Sequence, residues 1–171
     1  MLKEYFRREA SNFLRLGKSL AIVVLIVYFD QATKQYFNNI LVQGESIQIF
    51  QGLDFTLIYN SGAAFGILAE HSGWQRWFLI SVSVMATVGI IVFLYLNRES
   101  EFRYLLPLVL ILSGAFGNLI DRVNLGYVID FVHFYYKNWS WPAFNIADSA
   151  IFIGAGLLFL HIVRQKNSDS G

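Results

Sequence analysis

Four stretches of this chain, about 17–37, 74–96, 104–120 and 144–163, are apolar over the length of a membrane crossing, and that limits the fold more than any other feature. A hydrocarbon core of about 30 Å takes about 20 helical residues to cross. Inside it every backbone N–H and C=O must be bonded within the protein, so spanning segments are helices or closed barrels. The clearest crossing is 74–96, where the only strongly polar residues, Gln75 and Arg76, sit at one end beside Trp74 and Trp77, as in an interfacial aromatic belt. A 56% hydrophobic composition and a mean hydropathy of +0.48 agree. The expectation is one integral membrane domain over residues 1–171, all-α in class, with four transmembrane helices.

The first span needs the most argument. Its uninterrupted apolar run, 20–29, is too short to cross alone, so the span must take in Asp30. A basic segment ahead of such a run can be a cleaved signal peptide, but Asp30-Gln31-Ala32-Thr33-Lys34 follows in place of a small-x-small cleavage site. An uncleaved span is therefore expected. Residues 38–60 change character: Gln51-Gly52 reads as a turn, and Phe55-Thr56-Leu57-Ile58-Tyr59 is rich in β-formers, so a small sheet outside the membrane is expected there. A small-residue loop, 59–66, follows, and an aromatic-rich second loop, 123–143, is expected to lie over the site.

Basic residues orient the chain. Lys3, Arg7, Arg8, Arg15, Lys18, Arg98, Arg103, Arg164 and Lys166 fall on one side, and Lys34, Arg76, Arg122 and Lys137 on the other. The excess places both termini and the 97–103 turn in the cytoplasm, and the β region and second loop outside it. A net charge of +1 gives no footing for a nucleic-acid partner or a polybasic surface protein. The absence of cysteine removes thiolate chemistry, and His71, His133 and His161 make no ligand-spaced pair, so neither metal nor cofactor is expected.

Function is sought in Asp130 and Asp148, two acids bracketing the second loop at similar depth at the outer edge of the membrane. Singly, each has an ordinary explanation: Asp148 complements a helix dipole, and Asp130 is solvated. As a pair, with no basic neighbour in sequence, they suit chemistry better, because ionisable groups at membrane depth are costly. Two close carboxylates share one proton, so one can take a proton from water while the other gives one to a carbonyl or leaving amine. Asn145, three residues before Asp148, can cap the fourth span. Asn118, Asp121 and Arg122 share a helix face, where an Asp–Arg neighbour pair is ordinarily structural, and Asp30 and Lys34, one turn apart, read as an internal ion pair. A proton- or ion-coupled carrier and an assembly subunit are the rival readings. The acids cluster at one face and form no chain across the bilayer, and no internal repeat marks duplicated carrier halves.

Five ordered motifs, Asp30-Gln31-Ala32-Thr33-Lys34, Asn60-Ser61-Gly62-Ala63-Ala64-Phe65, Gly117-Asn118-Leu119-Ile120-Asp121-Arg122, Ile129-Asp130-Phe131 and Phe144-Asn145-Ile146-Ala147-Asp148-Ser149, closely resemble the bacterial lipoprotein signal peptidase (signal peptidase II) family over about residues 20–160. The resemblance implies a multi-pass inner-membrane aspartic endopeptidase that removes the signal peptide of a lipid-modified prolipoprotein immediately before the lipidated cysteine. It puts Asp130 and Asp148 in the catalytic positions. Asp30, Lys34, Asn60, Gly114, Asn118, Asp121, Arg122 and Asn145 match positions that support or line the site, and Ser113 stands where the family commonly has glycine. The implied partners are the prolipoprotein and membrane lipids, and one chain holds both acids, so a monomer suffices.

Overall fold

The computed structural model describes residues 1–62 and 74–169. The expected loop residues 63–66, the last three residues of the Asn60 motif, and His71 lie outside these. The order of elements is α1 (Leu2–Ile40), β1 (Ser46–Phe50), β2 (Leu53–Asn60), α2 (Trp74–Leu96), α3 (Phe102–Asn124), β3 (Val128–Tyr136), β4 (Trp139–Ser140) and α4 (Ile146–Asp169). All four helices are long and apolar enough to cross a membrane.

Helix α3 packs against the other three and is the most enclosed, with 50% of its apolar window buried against 6% for α1 and α2. The outer faces of α2 and α4 correspondingly leave Met85, Phe93, Phe152 and Phe159 exposed. Such a surface suits acyl chains and would be unfavourable in water. Two glycines set the α3–α4 crossing. A Cβ at Gly154 would lie 2.6 Å from the Pro107 carbonyl oxygen, and one at Gly114 would overlap the Ala147 carbonyl oxygen. Gly156 faces open space, so of the close-packing face expected at 154–156 only Gly154 meets a neighbour. Ser113 is fully buried, and its hydroxyl donates to the Val109 carbonyl at 2.6 Å, so its own helix satisfies it without a gap at the crossing.

Helix α1 is longer than the 17–37 crossing read from hydropathy. It runs 39 residues, about 58 Å at 1.5 Å per residue, nearly twice the bilayer core. The basic segment joins it because residues 2–16 contain neither Gly nor Pro and are rich in Leu, Arg and Glu. The helix stops at Leu41, whose backbone is extended.

The sheet is antiparallel in the order β1-β2-β3-β4. The β1–β2 turn falls at Gln51-Gly52, with Gly52 at φ +101°. The third and fourth strands lie inside the segment read from sequence as a loop, and His133, expected in a loop, is a strand residue with Nε2 2.6 Å from Ser140 Oγ. The reason is legible afterwards. Val128-Ile129-Asp130-Phe131-Val132 is a β-former run broken only by Asp130, and β2 gives it a partner, pairing Ile58 with Asp130 and Asn60 with Val128. Ile129 and Phe131 join Phe37, Leu41 and Leu57 in a buried cluster where the Phe37 ring lies 4.7 Å from both Phe55 and Phe131. The sheet is thus seated on the end of α1. With alternation at work, Asp130 points to the opposite face, toward the ends of the helices.

Candidate active site

The start of α4 is built around Asp148. Asn145 immediately precedes the helix, and its Oδ1 accepts the Asp148 N–H at 2.9 Å while Asp148 Oδ2 accepts the Asn145 N–H at 3.3 Å. This reciprocal capping box satisfies two backbone donors and holds Asp148 in the first turn, at the positive end of the helix. A third donor, the Ala147 N–H, is taken by Asp30 Oδ1 of α1 at 2.9 Å.

Asp30 is completely buried and its other oxygen, Oδ2, meets Lys34 Nζ at 2.7 Å. Lys34, 1% exposed, also reaches Asp121 Oδ2 at 2.9 Å and Asn118 Oδ1 at 3.0 Å, so its three ammonium protons have three acceptors. Asp121 therefore pairs with Lys34 rather than with its neighbour Arg122. Its Oδ2 also accepts the Ile129 N–H at 3.2 Å, one residue before Asp130. Lys34 is the joint between the two elements that carry the acids: through Asp30 it fixes the start of α4, and through Asp121 the start of β3.

The same lysine decides how the site amides face. An ammonium can only donate, so Asn118 must turn its oxygen to Lys34 and its Nδ2 to Asp148 Oδ1, at 2.7 Å. The Asp148 N–H likewise fixes the oxygen of Asn145 and sends its Nδ2 to Asp130 Oδ1, also at 2.7 Å. Asn60 Nδ2 donates to Asp130 Oδ2 at 2.9 Å. Asp130 and Asp148 thereby belong to one polar network, coupled through Asn145, which donates to one and caps with the other.

Their surroundings differ. Asp130 is 2% exposed and Asp148 is half-buried. Burial first, and the Asp148 charge second, push the Asp130 carboxyl up to about 7, against the opposing pull of the Asn60 and Asn145 amides and of the Lys34 charge. Arg122 is half-buried within electrostatic reach of Asp148, Asp130 and Asp121, and its Nε is buried with no hydrogen-bond partner among the described residues. Gly114 provides the room in which the Ala147 carbonyl sits against α3. All ten residues singled out from the sequence therefore lie in or against one cluster.

Four more residues belong to the cluster, though the sequence reading gave none of them a role at the site. Gln31 Nε2 donates to Asp121 Oδ1 at 2.8 Å and to the Gly117 carbonyl at 3.2 Å. Its signal was its place three residues before Lys34, on the same helix face. Gly117 admits Asp30, whose Oδ2 would be 2.7 Å from a Cβ there. Ala147 contributes through its backbone N–H alone. Arg76 donates to the carbonyls of Arg122 at 3.1 Å and Val123 at 2.7 Å, closing the C-terminal end of α3, a contact no local pattern announces.

The family model for signal peptidase (SPase) II matches residues 22–164. The chain is 43% identical over 175 residues to the lipoprotein signal peptidase of Acinetobacter baumannii strain ATCC 17978, covering 98% of this chain and 96% of that one. It is 42% identical over 151 residues to that of Pseudomonas aeruginosa PAO1, covering 87% and 89%. A solved bacterial membrane enzyme, determined by the in meso method, superposes with a TM-score of 0.78 at 32% identity, over 89% of this chain and 91% of that one. The four-helix frame, the small sheet at its end and a sequence match across nearly the whole chain lead to one conclusion: this protein belongs to the signal peptidase II family.

Proposed function

We propose that the chain is an aspartic endopeptidase that removes the signal peptide from diacylglyceryl-modified prolipoproteins, cutting before the lipidated cysteine with a water activated between Asp130 and Asp148. Family membership supports a peptidase of the bacterial inner membrane, and the names of the relatives support a lipoprotein precursor as substrate. The observation that carries the aspartic mechanism is the shared network. Two carboxylates from different elements are coupled through Asn145, and Asp130, deeply buried, is raised to about 7.

That asymmetry assigns roles. Asp130 carries the shared proton and gives it to the scissile carbonyl oxygen. Asp148, the more open of the two, takes a proton from the attacking water, giving a tetrahedral diol. On collapse the C–N bond breaks, Asp148 passes its proton to the leaving amine, and Asp130 recovers one from the diol hydroxyl. Arg122, half-buried within electrostatic reach of both acids, orients the peptide. Both termini lie in the cytoplasm and the acids near the outer face, as the basic residues of the two sides dictate. Substrate enters from the bilayer, and the chain acts as a monomer.

Incubating the purified protein with a lipidated and an unlipidated prolipoprotein tests the reading: only the first should be cut. Folded Asp130→Asn and Asp148→Asn proteins should each lose cleavage, because an amide keeps the shape and loses the proton. Near-normal turnover in either would rule the dyad out.

A further inference from the structure

At the end of the bundle remote from the acids, the first turns of α1 and the turn between α2 and α3 form an open cleft of about 360 Å³. Arg7, Arg8, Arg15, Ser11 and Asn12 line it, with Glu4 and Glu99. The segment is amphipathic. Positions 4, 8, 11 and 15 form one helical stripe toward the cleft, while Leu2, Phe6 and Phe13, more than 60% exposed, point away.

Not all of the lining charge is free. Arg8 pairs with Glu99, and Arg15 Nη1 reaches the Ser100 carbonyl at 2.9 Å, fastening the α2–α3 turn to α1. Glu4, 90% exposed at the rim, lies 3.6 Å from the N-terminal ammonium of Met1. Arg7 has no acidic partner among the described residues. Asn12 Nδ2 is buried against the same cleft with no hydrogen-bond acceptor. A buried amide N–H without an acceptor is unfavourable, so the Asn12 side of the cleft has an unmet donor, and three arginines against two glutamates leave the lining net positive. Depth selects the acceptor. Arg15 is level with the end of α2, the edge of the hydrocarbon; Ser11 and Arg7 lie about 6 and 12 Å farther along α1, at the height of lipid headgroups.

We propose that this cleft binds the phosphodiester monoanion of an acidic membrane phospholipid, with Arg7 as its free guanidinium, Ser11, Asn12 and Arg15 as further donors, and the acyl chains along the exposed apolar surface of α1. Basic clefts between membrane helices suit such headgroups, and a planar guanidinium fits two phosphate oxygens at once. The proposal is independent of the peptidase reading, because none of these residues touches the acids.

Full-length protein in neutral detergent, titrated separately with phosphatidylglycerol, phosphatidylcholine and inorganic phosphate, tests it, with bound lipid counted by native mass spectrometry. Phosphatidylglycerol should bind at least about fivefold more tightly than phosphatidylcholine, and Arg7→Gln should remove about that factor. Arg7→Lys should restore only part of it, because an ammonium keeps the charge but cannot hold two phosphate oxygens in one plane, and thermal unfolding of both variants should match the parent protein. Equal affinity for the two lipids, or phosphatidylglycerol binding unchanged by Arg7→Gln, overturns the proposal. Inorganic phosphate binding as tightly as phosphatidylglycerol, and lost in Arg7→Gln, overturns the lipid assignment in favour of a free-phosphate site.

Discussion

Replacing Asp130 by Asn separates a carboxyl held protonated by its surroundings from one that is merely a hydrogen-bond acceptor. The folded-state value is about 7 against an ordinary 3.8. Below pH about 4 the group is protonated in both folded and unfolded chains, and nothing is lost. Between about 4 and 7 the folded protein keeps a proton that the unfolded chain has released, so stability falls by about 1.4 kcal/mol per pH unit and levels off above 7, on the order of 4 kcal/mol lower. Asparagine carries no such charge, but its NH₂ must confront either Asn60 Nδ2 or Asn145 Nδ2, both donors to Asp130. That mismatch costs about 1–3 kcal/mol at every pH. The pH-dependent part is therefore diagnostic. Relative to the parent protein, Asp130→Asn should gain about 3 kcal/mol between pH 5 and pH 8. Detergent-solubilised protein unfolded with SDS and followed by the fluorescence of its four tryptophans gives the two stability curves. Curves that run parallel from pH 5 to 8 would mean that Asp130 is ionised in the folded protein, and the shared-proton mechanism would fall with that result.

The helical frame was legible in the sequence because a bilayer imposes it: 74–96 coincides with α2, since Gln75, Arg76 and the Trp pair mark one interface and the polar turn 97–103 the other. The start of α1 was not, because hydropathy locates lipid-crossing residues and is blind to a helix that continues through good helix formers into the headgroup layer. Strand β3 was hidden for a different reason. Its period-2 signal is interrupted by Asp130, a residue unfavourable in strands, and only pairing with β2 makes it a strand. The acids themselves stood out as charges in apolar surroundings. Their coupling did not, because it runs through long-range contacts such as Lys34 to Asp121 and Ala147 to Asp30 that no spacing rule predicts. Asp121 shows the limit well: local spacing pairs it with Arg122, whereas burial selects Lys34, the cation that can be shared with Asp30.

Two further substitutions probe the scaffold behind the acids. Gly114→Ala puts a methyl group into the Ala147 carbonyl and must move the start of α4; displacing Asp148 by about 1 Å should lower cleavage on the order of a hundredfold while the detergent-solubilised protein stays folded. Cleavage within threefold of the parent would show that the crossing does not set the geometry. Lys34→Met keeps the stem and removes the only cation that Asp30 and Asp121 contact among the described residues, leaving two buried carboxylates uncompensated, a loss of about 3–5 kcal/mol in SDS unfolding. Adding Asp30→Asn and Asp121→Asn should recover most of that stability but not the cleavage, because Asn118 then loses its charged orienting donor and keeps only the 3.3 Å contact from Asn145 Nδ2 to hold its oxygen away from Asp148. A stable and fully active triple variant would show that the lysine only balances charge, and that the orientation of the amides, and with it the coupling of the two acids, is set elsewhere.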